Sequence, residues 1–166
     1  MSKTLEIQPP NEISKIDGYV SIFICGSINC GELDASFQHV IIESVKNKPY
    51  IFYNPKSDVF NSSYIEYKAN IQFKEQVEWE LNALKESDII IMYFGENTKS
   101  PINLLELGLF ASSNKLIVCC ENGFLEKVKV DVICEVYGIK QVDTLDNLIK
   151  VLNDGEIDEF LFSNKD

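Results

Sequence analysis

Apolar residues in this chain fall into short blocks separated by polar and turn-forming stretches, and the spacing inside the blocks alternates between two kinds. Residues 19–25, Tyr-Val-Ser-Ile-Phe-Ile-Cys, are a near-continuous apolar run ended by Gly26, which predicts a buried strand. The same signature recurs at 50–53, ended by Asn54-Pro55, and at 89–94, 116–120 and 139–142. Between these runs, residues 33–46, 73–84, 103–111, 128–136 and 144–152 carry helical spacing. The last sets Leu145, Leu148, Ile149 and Leu152 on one face behind a threonine or aspartate cap. Residues 56–68 are polar and aperiodic and predict a long loop, a length often found in lids and binding loops.

Strands alternating with helices predict an α/β fold: a three-layer α/β/α sandwich, doubly wound, around a five-stranded, mainly parallel sheet in flavodoxin-like order. The expected domain covers residues 18–153. Residues 1–17, which include Pro9-Pro10, read as an extended or frayed arm, and residues 154–166 as an acidic tail without a fixed place. In this order the first and third predicted strands are neighbours, and ligands bind outside their carboxyl ends, between loops 26–31 and 95–103.

Two glutamates break the pattern. Helical spacing puts Phe73, Val77, Leu81 and Leu84 on one stripe of the second helix, and Glu80 is the only charge inside it. Glu106 is surrounded by Leu104, Leu105, Leu107, Leu109 and Phe110, so its helix is expected to be almost wholly buried, with Glu106 in the first turn facing the cleft. A buried carboxylate must find a partner, shift its pKa or do work.

Composition narrows the chemistry. With 166 residues, 45% of them apolar, the chain suits one globular domain. No apolar run is long enough to span a bilayer and the N-terminus lacks the order of a signal peptide, so a cytoplasmic protein without a membrane partner is expected. A net charge of −11 without a basic stripe argues against nucleic acid and for a small-molecule ligand. The five cysteines lie mostly in apolar runs and read as reduced core thiols, with Cys119 and Cys120 on opposite faces of a strand; with His39 the only histidine, no metal and no cofactor are expected.

Two carboxylates over one cleft suit glycosyl chemistry, in which one attacks an anomeric carbon and the other handles a proton or a hydroxyl. The plainer readings are that Glu106 caps its helix and that Glu80 pairs with Lys15, Lys74 or Lys115. Gly26 and Ser27 would admit a ligand to the backbone, Ser100 and Asn103 belong to the second loop, and Tyr64 and Tyr67 are stacking candidates that could equally be loop anchors. Trp79 reads as a packing or interface residue.

Three segments, Ile-Phe-Ile-Cys-Gly-Ser-Ile (22–28), Gln-Val-Glu-Trp-Glu-Leu-Asn-Ala-Leu-Lys-Glu-Ser-Asp (76–88) and Ser-Pro-Ile-Asn-Leu-Leu-Glu-Leu-Gly (100–108), carry a family resemblance. The chain resembles the nucleoside 2-deoxyribosyltransferase-like proteins, which include deoxyribosyltransferases and nucleoside 5′-monophosphate N-glycosidases. The resemblance implies that Glu106 is the nucleophile of a glycosyl-enzyme intermediate. It puts Glu80 where the transferases carry an aspartate that contacts the sugar or assists the leaving base, and Ser100 where they carry a second acidic residue. It further implies a homo-oligomer in which a neighbouring subunit can complete the pocket. A non-catalytic nucleotide-binding or signal-sensing module using the same pocket is the alternative. A third reading, a purely structural domain, predicts that Glu106→Leu stabilises the fold.

Overall fold

The computed structural model describes residues 3–27, 36–56 and 71–163. The apolar runs form one parallel sheet: β1 (Leu5–Ile7), β2 (Val20–Gly26), β3 (Tyr50–Tyr53), β4 (Ile89–Phe94), β5 (Leu116–Cys120) and β6 (Lys140–Val142), in the order β1-β3-β2-β4-β5-β6. The helices are α1 (Phe37–Ser44), α2 (Ile71–Glu86), α3 (Pro101–Phe110), α4 (Lys127–Tyr137), α5 (Leu145–Asn153) and α6 (Glu156–Ser163). Without β1 the order is the flavodoxin-like one. The sixth strand comes from the arm: Leu5–Ile7 pairs with β3, and Thr4 donates its hydroxyl to Val45 O at 2.6 Å.

Alternating strand residues divide the core in two. Phe23, Cys25, Tyr53, Ile90, Met92 and Cys120 face a layer made by α2, α3 and α4, whereas Ile22, Ile24, Phe52, Ile89, Ile91 and Cys119 face α1, α5 and α6. The arm crosses the first layer, where Trp79 packs on the core and donates its indole N–H to Asn11 O at 2.8 Å. The register at the centre is fixed by Asp88, which accepts from the Ser21 N–H at 2.9 Å and hydroxyl at 2.7 Å and sets Ile22 opposite Ile89.

Burial differs from expectation in three places. On α2 the buried face runs through Ala83 and Leu84, with Glu80 and Trp79 half-buried, while Val77 and Leu81 are exposed. The helix is rotated because Trp79 turns inward onto the arm. On α3 only Asn103, Glu106 and Leu107 are fully buried; Ile102, Leu105 and Leu109 are exposed, so the described residues do not enclose that helix. The tail forms α6 and buries Ile157 against the α1–α5 layer.

Candidate functional site

The predicted first and third strands lie side by side as β2 and β4, paired from Ile22↔Ile89 to Gly26↔Tyr93. A side chain on Gly26 would collide with Tyr93 O at 2.5 Å and with Phe37 Cζ at 2.7 Å, so protein, not ligand, fills the space above that glycine. Ser27 follows and is held by its N–H to Tyr93 O at 2.8 Å.

Beyond the strand ends a cluster of hydroxyls forms. The Ser27 hydroxyl accepts from Gly95 N–H at 3.0 Å and from the Thr98 hydroxyl at 2.7 Å, and it contacts the Ser100 hydroxyl. Ser100 is the residue before α3, with φ 41° and ψ 52°, and its side chain makes no capping bond. A serine there would ordinarily cap the helix in an extended conformation; here it adopts the left-handed one and points its hydroxyl into the cluster. Such strained positions gather at functional sites. Ser27, Tyr93, Gly95, Glu96, Asn97, Thr98 and Glu121 line an open cleft of about 430 Å³. The 95–98 loop is tied down by Asn97 N–H to Gly123 O at 3.0 Å and Glu96 N–H to a Glu121 carboxylate oxygen at 2.9 Å.

The two glutamates belong to one buried group with Cys25. Glu106 is 7% exposed and its Oε2 has no hydrogen-bond partner among the described residues. Burial, reinforced by the negative Glu80 nearby and only partly offset by the neighbouring Cys25 thiol, pushes its pKa up to about 7. Glu80 is also raised by burial, but a hydrogen bond from Gln76 opposes the rise. The Cys25 thiol, 4% exposed, donates to Ile91 O at 3.7 Å and is raised far above the ordinary thiol range, first by burial and then by Glu106. Asn103 is buried one turn before Glu106 on the same helix.

Glu106 is the sixth residue of α3, in its second turn, beyond the reach of the helix dipole's stabilising end. The expectation that Glu106 stands in the first turn is therefore corrected, and desolvation rather than the helix end dominates its charge state. Nor do the suggested lysines reach Glu80. Lys15 pairs with Asp88 at 3.6 Å, Lys74 with Glu78 at 3.1 Å, and Lys115 donates to Lys85 O at 2.7 Å. The partner of Glu80 is Gln76, whose Nε2 donates to Oε1 at 2.8 Å.

Tyr64 and Tyr67 lie outside the described residues. The structure thus brings Glu80 and Glu106 together, and Ser27 with Ser100. It adds Thr98, Gln76 and Cys25, which periodicity could not single out because a threonine in a loop, a glutamine on a helix and a cysteine in a strand are all unremarkable there. A larger hollow of about 520 Å³ lies at the β6 edge, but its Lys127 and Lys140 are occupied by Asp131 and Glu156. The described cysteines are all free and buried, with Cys119 and Cys134 raised to about 12 and Cys120 to about 11 by burial, as inert core thiols should be. No described helix is long and apolar enough to cross a membrane, and no described cluster of histidine, cysteine and acidic residues has a metal-binding arrangement.

Among solved structures, the chain is similar to a conserved protein from Enterococcus faecalis V583, at 10% identity and a TM-score of 0.57, covering 81% of this chain and 98% of that one. That likeness concerns the fold alone. No curated protein matches the sequence. The sequence profile of a family described as nucleoside 2-deoxyribosyltransferase like matches residues 19–124, a span that runs from β2 through both glutamates to the loop after β5. The chain belongs to the nucleoside 2-deoxyribosyltransferase-like family.

Proposed function

We propose that the protein cleaves or transfers the N-glycosidic bond of a nucleoside or nucleotide, with Glu106 as nucleophile. The observation that carries this reading is the buried Glu106 carboxyl, its Oε2 without a partner among the described residues, beside the half-buried Glu80 carboxyl in a chain of this family. A desolvated carboxylate is a stronger nucleophile toward an electrophilic carbon than a hydrated one. As its carboxylate, Glu106 forms a bond to C1′ while the C1′–N bond breaks and its electron pair leaves with the base. Glu80, ionised wherever Glu106 is, accepts from a sugar hydroxyl, and the departing base takes up its proton from water. Water or a second base then attacks C1′ and releases the carboxylate. With the Gly95 N–H and the Thr98 hydroxyl already donating within the cluster, the Ser27 and Ser100 hydroxyls are the groups offered to a polar part of the ligand, a sugar hydroxyl or a 5′-phosphate.

Because Glu106 titrates near 7, the nucleophile is present only above that value, and kcat/KM is expected to rise with pH through about 7. The same titration favours the binding-module alternative at lower pH, where a protonated Glu106 donates to a ligand hydroxyl. Base release from nucleosides, deoxynucleosides and their 5′-monophosphates, with and without an acceptor base, tests both readings. An enzyme loses turnover in Glu106→Gln and keeps most of its ligand affinity; a binding module shows no base release in either form.

The homo-oligomer is proposed on the α2–α4 layer. Ile102, Leu105 and Leu109 form an uncharged outward stripe on α3, beside Val128, Val132 and Val136 of α4, and a second copy offers the same apolar stripe in return. Light scattering is expected to give a multiple of 18.9 kDa that falls to the monomer in Leu105→Lys.

A further inference from the structure

Gln76 lies one turn before Glu80 on α2, and its side-chain nitrogen donates twice: to Glu80 Oε1 at 2.8 Å and to Pro55 O, just past the end of β3, at 3.0 Å. Both amide hydrogens are therefore in use. The flipped amide would set its oxygen against a carboxylate and a carbonyl, so the donor orientation is the only satisfactory one. A donor-only contact favours the ionised form of the carboxyl it touches.

Nothing comparable serves Glu106. Its Oε2 has no partner among the described residues, and the group facing it from β2 is the Cys25 thiol. Among the described residues, the titratable groups around the pair are Cys25 on β2, Glu80 on α2 and Glu106 on α3, with the Pro55 carbonyl at the exit of β3. No described lysine is paired with either glutamate, since Lys15, Lys74 and Lys115 are engaged elsewhere. Two nearby carboxyls in a low-dielectric site share one negative charge over a range of pH, and the better-solvated member holds it.

We infer that Gln76 is a positioning residue that assigns the roles within the pair: its amide ties Glu80 to the end of β3 as the charged member and leaves the shared proton with Glu106. This rests on the two-carboxylate site proposed above, yet it concerns a residue whose two amide hydrogens are both engaged by protein atoms. It explains why two glutamates in one apolar layer differ in behaviour. It also makes the availability of the nucleophile depend on a side chain one helical turn removed from the chemistry. Loss of the amide shifts the proton toward Glu80 and lets Glu106 ionise at lower pH.

The test is a site-resolved carbon-13 titration of the Glu80 and Glu106 carboxyls in the wild type, Gln76→Met and Gln76→Lys. Methionine keeps the length and removes the donor. It is expected to raise the Glu80 midpoint and lower that of Glu106, narrowing the gap by about one pH unit, the equivalent of one hydrogen bond. Lysine keeps a donor of similar reach, makes it charged, and is expected to widen the gap. If one variant fails to fold, the other still decides the question. A gap unchanged in a folded variant overturns the inference. Normal shifts in a protein that releases no base from any nucleoside or nucleotide would defeat the proposed activity and leave the inference standing.

Discussion

The two helical layers on either side of the sheet are built to different ends. The α1, α5 and α6 layer turns most of its apolar residues inward, with Leu148, Val151, Leu152 and Ile157 all buried and Val40 and Phe162 exposed. Its helix α5 is capped as the sequence predicts, Thr144 Oγ1 accepting from Asn147 N–H at 3.2 Å. The α2, α3 and α4 layer does the reverse. It buries the Glu106 carboxyl and half-buries that of Glu80, begins α3 on a left-handed serine that does not cap, and leaves Ile102, Leu105, Leu109, Val128 and Val136 outside. One layer gathers stabilising contacts; the other spends them on a site.

The largest expected effect lies in the second layer and is catalytic. Glu106→Gln should lower turnover by at least about 10³-fold while shifting the ligand dissociation constant little, read by base release and calorimetry. A comparable loss from any substitution confined to α5 would break the contrast.

Stability should move in opposite directions in the two layers. Leu148→Ala removes a fully buried side chain and should cost about 2–5 kcal/mol in denaturant titrations, whereas Leu105→Ala on the outward face of α3 should stay within about 0.5 kcal/mol in the monomer. Glu106→Gln should stabilise. Its folded pKa of about 7 lies above the ordinary 4.5, so between those values the folded chain binds the extra proton and stability falls as pH rises. The wild type is least favoured above pH 7, and the advantage of the glutamine variant should grow from near zero at pH 4 to at most about 3 kcal/mol at pH 8. Stabilisation on removing Glu106 is thus expected of an enzyme as well as of a purely structural domain, and only the loss of turnover separates them.

The smallest contrast concerns the two helix starts. Thr144→Ala should cost about 1 kcal/mol through its lost cap. Ser100→Gly should gain up to about 1 kcal/mol by relieving φ 41°, and weaken ligand binding through its lost hydroxyl. Thermal melts of both variants, with ligand titration of the second, check the pair.

What the sequence made legible follows the same division. Runs such as 89–94 and 116–120 are strands because an unbroken apolar block between turn signals has few other stable solutions, and α5 is readable from its cap and spacing alike. The rest depended on tertiary context. Leu5–Ile7 is too short and too polar in its surroundings to announce a strand, and it forms because the edge of β3 is free to receive it. The outward face of α3 is as apolar as a buried one, so sequence could not tell that it is exposed. Glu80 and Glu106 were legible as misfits in apolar stripes. Their unequal charge was not, because it turns on Gln76, Pro55 and Cys25 converging from three separate elements.

The placement of β1 has a consequence for the order of events when the chain is made. Leu5–Ile7 joins the sheet only through β3, at Leu5↔Ile51 to Ile7↔Tyr53, and touches no other strand. It is synthesised before its partner exists. At roughly 5–20 residues per second, a few seconds pass before residues 50–53 emerge from the ribosome. Strand β1 must therefore wait for β3 before it can be secured. Until it docks, the growing polypeptide exposes β3 as an open edge of the kind that recruits neighbouring chains.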